Sequence, residues 1–339
     1  MAIKLSSNDV IIIGAPGVLS VWGFDLVRTV ARQLSDVKLA SIDWTDEVEE
    51  VPPDPQELRT FYLSQYPSPS LGRLVRSERL PVVAFIDDPV DAVRYMREML
   101  SCNFIEAIRA QTAAATVYAQ LRDNRSVALF DRSSAGSAGV IAARLLEQLR
   151  LGLDTTAEKR LPEKFSFPLE AALSRHVAGY APLGRIGSLS AEEAAIVEQV
   201  LRPMLSMASS QNIDPICWPS SVFLFGDQPD KHAPPKADLT GPARVIFYGP
   251  YFHLPAGRWR VRMVISFSDD PLGMPFSVEV HGSALIAKAI IQPKGEGTFQ
   301  VTFSMNHERP QDALELRIRN EEGAIEGKVS LSHVQLIPE

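Results

Sequence analysis

The sequence predicts two folded bodies in series: an α/β domain whose parallel sheet is covered by helices on both faces, then an antiparallel β-sandwich or jelly roll. Three observations predict it. At 339 residues the chain exceeds what one ordinary core organises. Three times before residue 154 an apolar run passes through a tight turn into an amphipathic helix, the pattern of a helix-covered parallel sheet. From about Asp214 that periodicity stops, and short alternating segments separated by Gly, Pro, Asp and Asn take over. The division gives domains of 1–214 and 215–339, with linker elements over about 214–241.

The first unit is "VIIIGAPGVLSVWGFDLVRTVARQL", Val10 to Leu34. Its aliphatic run reads as a buried strand, and Leu26, Val27, Val30 and Leu34 share the helical face that packs on the sheet. "VKLASIDW" is the second strand, while acidic "TDEVEEVPPDP" has no apolar periodicity and reads as a surface loop. Val82 to Ile86 is too apolar for an edge strand. In the helix that follows, Asp88 is the cap, Pro89 takes the first position, and Asp91 lies in the first turn, where the dipole favours an anion. Ala92, Val93, Met96, Met99 and Leu100 form its apolar stripe.

"NFIEAIRAQTAAATVYAQLRDN" adds a long Ala-rich helix, and a third strand ending at Phe130 leads through Ser and Gly into a helix that stops at Gly152. Ser190 and Glu193 form a capping box for the last strong helix, and Pro203 removes the bond to the carbonyl of Gln199 and kinks its final turns. The linker carries a first strand around "VFLFG", and further sandwich strands lie in "ARVIFYGPYFHL", "GRWRVRMVISFS", "FSVEVHG", "ALIAKAIIQ", "GTFQVTFSMN", "ALELRIRN" and "KVSLSHVQLI".

Composition excludes several function classes. Net charge is −7 and the basic residues are scattered, so nothing suits a nucleic-acid backbone. Cys102 and Cys217 stand in unrelated contexts, which fits a reducing compartment and supports no zinc site or other metal. The opening residues hold only four consecutive aliphatic side chains, too few for a signal peptide or a membrane span, and the expected location is the cytoplasm.

The turn from Gly14 to Ser20 has the geometry in which backbone N–H groups and a helix dipole hold a phosphate, but it has no lysine. Its donors are N–H groups and the Ser20 hydroxyl, which offer no fixed cation to charge moving in a transferring group. Plain chain reversal is the simpler reading. Arg94 stands near enough to act as a relocated cation, and Ser133 and Ser134 lie before a helix N-terminus as a second anion nest. Asp43, at the end of the second strand, and His176 are the candidate catalytic groups of the first domain.

The order of these landmarks resembles that of the sulfotransferases that use 3'-phosphoadenylyl sulfate (PAPS), from about residue 8 to residue 208. "PGVLSVW" lies where that family has its 5'-phosphosulfate loop, "VVAFIDDPVDAVRY" where it has the strand and helix holding the 3'-phosphate, and "LSAEEAAIVEQVLRPML" where it has its closing helix. Pro16, Ser20, Trp22, Pro89 and Asp91 match the family pattern, whereas Gly17 replaces its lysine, Leu19 its loop glycine, Asp87 its 3'-phosphate arginine and Tyr95 its 3'-phosphate serine. The resemblance therefore implies a degenerate site with no cofactor, and a cofactor-binding set of Gly14, Pro16, Gly17, Ser20, Trp22, Arg94, Ser133 and Ser134 only if a PAPS- or PAP-like nucleotide is still held.

In the second domain, "YGPYFHLPAGRWRVRMVISF" resembles β-sandwich modules found with bacterial glycosyltransferases, with Tyr248, Tyr251 and Trp259 as a sugar platform, although aromatics at alternating strand positions also build cores. Two readings follow. One is a non-catalytic or strongly diverged sulfotransferase-like protein that binds or scaffolds in bacterial surface-polysaccharide biosynthesis, its partner a carbohydrate or an assembly protein. The other is an active sulfo- or other group transferase with an altered donor site built on Ser20, Arg94 and the serine loop.

Overall fold

Aliphatic residues in an unbroken run decide the centre of the first unit. Strand β2, Val10–Gly14, is buried along its whole length, because neighbouring strands satisfy its backbone on both sides and its side chains have no wet face to avoid. The structure, a computed structural model, describes residues 2–32, 37–43, 45–54, 58–76, 80–122, 124, 126–131, 138–148, 187–208, 214–269 and 273–339. It divides into two compact units: Met1–Ala107 with Val117–Ser190, and Ile108–Thr116 with Ala191–Glu339.

In the first unit, β3 (Val37–Ser41), β5 (Arg59–Ser64), β2, β6 (Val82–Ile86) and β7 (Val127–Asp131) form, in that order, a parallel sheet. The chain leaves β2 for β3, returns through β5, then crosses to β6 and β7 on the other side. Strand order thus reverses between β2 and β6, and in open α/β sheets ligands enter the crevice beyond the carboxyl ends of such a pair. Helix α1, Val18–Ala31, follows β2 and packs so tightly that a Cβ on Gly23 would lie 2.5 Å from the Phe85 ring. Helix α2 spans Pro69–Arg76, α3 Pro89–Met99, α4 Phe104–Leu121 and α5 Ala138–Gln148.

Local chemistry accounts for the helix starts. The Asp88 carboxylate accepts from Val90 N at 3.0 Å and from Asp91 N at 3.4 Å, with Pro89 following, as its sequence predicts. Asn103 and Glu106 cap α4 reciprocally. Helix α6, Ala191–Ser206, continues through a buried Pro203 and groups with the second unit, so the compact units part at residue 190 where the sequence places its boundary at 214.

The acidic loop and the linker hold more paired strands than the one expected around "VFLFG". Within the acidic loop, β4, Val48–Glu50, pairs in parallel with β1, Ile3–Leu5, its short length hiding any periodicity. The expected linker holds β8 (Ile216–Pro219), β9 (Leu224–Phe225), β10 (Gln228–His232) and β11 (Ala237–Asp238); β8 and β11 pair with the long C-terminal strand, β9 with the strand over Val245–Phe252, and β10 with β9. Prolines and aspartates keep these strands short without preventing edge pairing.

The seven alternating segments are β12 (Val245–Phe252), β13 (Gly257–Ser268), β14 (Phe276–His281), β15 (Leu285–Ile291), β16 (Gly297–His307), β17 (Leu314–Asn320) and β18 (Lys328–Pro338). One antiparallel sheet runs β10-β9-β12-β17-β14-β15; the other runs β11-β18-β13-β16, with β8 also on β18. Alternate residues such as Trp259, Val261, Met263, Ile265 and Phe267 of β13 are buried, and Phe267 meets Phe276 of the other sheet with ring centroids 4.7 Å apart. The result is an antiparallel β-sandwich.

Candidate functional site

At the reversal between β2 and β6, the protein's own carboxylate sits where an anion is expected. Asp87 follows β6 directly and is 7% exposed. Its Oδ2 accepts from the backbone N–H of Leu19, in the first turn of α1, at 2.9 Å, while Oδ1 accepts from Asp88 N at 2.9 Å. Helix α1 has no side-chain cap of its own at Gly17, so Asp87 supplies the negative charge its N-terminus attracts. A Cβ on Gly17 would lie 2.7 Å from Asp87 Oδ2. The position that bears lysine in the family pattern and the one that bears arginine are therefore in contact here, and a side chain at position 17 would have to displace the Asp87 carboxylate.

Other turn groups face inward. The Ala15 N–H donates to the Tyr118 hydroxyl, which donates in turn to the Phe85 carbonyl at 3.2 Å; burial pushes the Tyr118 phenol far above its ordinary range, so it stays a donor. Ser20 is 0% exposed, with its hydroxyl 3.5 Å from the same carbonyl. Gly14, Pro16, Gly17 and Trp22 are buried around it. Arg94 pairs with Asp91 at 3.0 Å and donates from Nε to Gly187 O at 3.2 Å. Asp43 is exposed in a turn, its N–H donating to Asp46 at 2.8 Å. Ser133, Ser134 and His176 lie outside the described residues.

The sandwich unit presents a different surface. On β12, Tyr248 and Tyr251 are half-exposed, with ring centroids 6.3 Å apart in an edge-on arrangement. Tyr251 adopts a left-handed backbone, φ 66°, a conformation a non-glycine residue keeps only where its surroundings over-determine it. Those surroundings are visible. The Arg109 guanidinium, on the part of α4 that belongs to this unit, lies 5.1 Å from the Tyr251 ring centroid, and its Nε donates to Pro250 O at 3.0 Å. The Tyr251 phenol is pushed up to about 12, first by burial and then by Glu315, to which it hydrogen-bonds.

The pairing registers extend this site across the sheet. Tyr248 lies opposite Arg317 on β17, Arg317 opposite Glu279 on β14, and Glu279 opposite Lys288 on β15, so one transverse row carries an aromatic ring, a cation, an anion and a cation. Arg317 donates to Glu315 at 2.6 Å, and Lys288 to Glu279 at 2.8 Å. Hydrogen bonds from Lys288 and His281 hold the Glu279 carboxyl below its usual range. Of the third aromatic expected in the platform, the structure makes a core residue: Trp259 is 3% exposed and its indole N–H donates to Pro255 O at 3.1 Å.

Sequence reasoning missed Arg109, Glu279, Lys288, Glu315 and Arg317. Strand alternation marks the last four as outward-facing, but only the registers show which of them meet. Among the described residues no cluster of three His, Cys, Asp or Glu side chains could hold a metal, and no helix is long and apolar enough to cross a membrane.

Comparison with known proteins yields no match to any family model and none to a curated protein. Solved structures that are similar over the C-terminal region include TmCBM61 in complex with β-1,4-galactotriose, at 15% identity over 31% of this chain and 69% of that one, TM-score 0.25. The C-terminal CBM6 of LamC, a marine laminarinase from Zobellia galactanivorans, is 10% identical over 37% of this chain and 99% of that one, TM-score 0.26. A CBM36-1 domain of a multidomain xylanase from the hindgut metagenome of Trinervitermes trinervoides is 10% identical over 37% and 98%, TM-score 0.27. At these scores the likeness carries no functional weight, and the sandwich assignment rests on its own sheet topology.

Proposed function

We propose that this chain is a non-catalytic carbohydrate-binding or scaffolding protein, with a sulfotransferase-like α/β unit whose donor site is closed and a sandwich unit that holds the sugar. The observation that carries the reading is the Tyr248–Tyr251 pair: two half-exposed aromatic rings, one held in a left-handed backbone, beside a row of hydrogen-bonding groups. Sugars bind through apolar ring faces stacked on aromatics and through hydroxyls that need both donors and acceptors, and Tyr251, Glu315, Arg317 and Glu279 supply that mixture. Charges in this row are matched within the protein, Arg317 with Glu315 and Lys288 with Glu279, which suits an uncharged ligand. Work in surface-polysaccharide assembly is the setting in which such a binder next to a closed transferase unit fits.

The altered-donor transferase draws no support from Ser20 or Arg94, since the one is buried and the other is paired with Asp91.

A neutral-oligosaccharide array probed with the full chain and with Tyr251→Ala tests the proposal. The expected result is binding to at least one oligosaccharide that weakens at least about tenfold in the variant while the melting temperature holds. No signal on any neutral glycan, or an unchanged signal in the variant, would overturn it.

A further inference from the structure

The other sheet of the sandwich carries a second surface of opposite character. On β13, Arg258, Arg260 and Arg262 alternate with buried Trp259, Val261 and Met263, so three guanidinium groups stand in single file on the outer face, about 6.8 Å apart along the strand. Arg258 and Arg260 are well exposed, with 69% and 49% of their side-chain surface open. The residues beside them across the sheet are Asn306, Ser304 and Thr302 on β16 and Ile337 and Gln335 on β18. Apart from Ile337 these are hydroxyls and amides. The outward positions of β13, β16 and β18 carry no carboxylate; two lie just past the strand ends, Glu308, which accepts from Asn306 at 2.8 Å, and Glu339, which reaches back over the row.

Glu339 shows what the row accepts. One carboxylate oxygen lies 2.9 Å from Arg258 Nε, the other 2.9 Å from Arg260 Nε, and Ser304 Oγ donates to it at 3.1 Å. A single carboxylate is thus held between two arginines and a hydroxyl. The third arginine has no such partner: Arg262 Nε is buried and makes no hydrogen bond among the described residues. A buried, unsatisfied guanidinium nitrogen is costly, and turning the Arg262 side chain outward would bring it to an acceptor arriving from outside.

We infer that this face is a second binding site, and that its ligand is a linear polysaccharide bearing carboxylates. Arginine forks match carboxylate geometry, while the flanking Ser, Thr, Asn and Gln positions match sugar hydroxyls. The row gathers three cations on one strand of a chain whose net charge is −7. Nucleic acid is the poorer fit, because the outward positions carry no aromatic side chain on which bases could stack and only three arginines in file. In this site Glu339 competes with the ligand for Arg258 and Arg260. The inference stands apart from the tyrosine face, which lies on the other sheet.

The test is a titration of the full chain with polygalacturonate at low and moderate salt, using Arg262→Ala, Glu339→Gln and Tyr251→Ala in parallel. The expected results are binding that weakens as salt rises, a loss of about tenfold or more in Arg262→Ala, tighter binding in Glu339→Gln, and no change in Tyr251→Ala. Glu339→Gln keeps the side chain's length and removes only its charge from the two arginine pairs, so the fold survives whatever Arg262→Ala does to it. No binding by the unmodified chain, or unchanged affinity in both Arg262→Ala and Glu339→Gln, would overturn the inference. So would a loss confined to Tyr251→Ala, or equal competition by single-stranded DNA.

Discussion

In the α/β unit, the crevice where strand order reverses is filled from within: Asp87 takes the helix N-terminus, Tyr118 takes the turn at Ala15, and Gly17 leaves room for the Asp87 carboxylate. In the sandwich unit, polar and aromatic groups of comparable chemical reach are turned outward, with Tyr248, Arg317, Glu279 and Lys288 lined up across four strands. The difference teaches that a fold's usual ligand position and the surface where a chain displays its polar and aromatic groups are separable. Backbone geometry alone predicts an anion at α1, and a single buried carboxylate meets that demand permanently.

The largest expected effect separates core from platform in the sandwich. Trp259→Ala removes a buried indole and its bond to Pro255, and should cost about 3–5 kcal/mol in denaturant unfolding without a specific change in glycan binding. Normal unfolding with lost glycan signal would move Trp259 into the binding face and blur the comparison.

Next comes the contact between the two changed positions of the α/β unit. Gly17→Lys alone should destabilise by about 1–3 kcal/mol, because its Cβ meets Asp87 Oδ2. Combining it with Asp87→Arg removes that obstacle, so the two changes should couple by about 0.5–3 kcal/mol in a double-mutant cycle. The double variant also adds two cations and removes an anion, each charge-assisted contact being worth about 1.5–3 kcal/mol, and should begin to bind PAP. Strict additivity would show that the two positions do not share one space.

A pH titration of stability sharpens the comparison from the sandwich side. His307 is 1% exposed, and burial pushes its pKa down to about 4 from an ordinary value of 6.5, with His253 adding to the fall and Asp312 opposing it. The unfolded imidazole takes up a proton that the folded one refuses, so this contribution is intact above pH 6.5 and is lost as pH falls from 6.5 to about 4. The loss should reach about 3 kcal/mol at most, and His307→Phe should flatten it. A profile equally steep in the variant would assign the acid sensitivity elsewhere. The smallest effect belongs to Asp88→Ala, which removes the cap of α3 and should cost about 1 kcal/mol without touching any ligand, read from urea unfolding.

What could be read beforehand follows the range of each interaction. Val10 to Ile13, Asp88 with Pro89, and the alternation of β13 act within a few residues, so strand, cap and inward face were legible. Asp87 was legible as a lost arginine but not as the cap of α1, since Leu19 lies 68 residues away and meets it only because β2 and β6 are neighbours. Tyr248 and Tyr251 stood out as aromatics, whereas their partners depend on registers set between strands some 30 to 70 residues apart in sequence, shifted by bulges that no alternation pattern reveals. Arg109 was beyond reach for the same reason: a residue in the middle of a long Ala-rich helix joins the sandwich. Short edge strands such as β4 and β11 hold too few residues for any period to appear.

Calorimetric titration of the unmodified full chain with PAP at millimolar concentration tests the central claim most directly, because that claim is that the α/β unit has given its anion position to Asp87. The predicted trace is flat, since the carboxylate already holds the Leu19 N–H and repels the 3'-phosphate, and no ammonium stands at Gly17. A saturable heat with one-to-one stoichiometry in the unmodified chain would contradict the account and make the α/β unit a working nucleotide site.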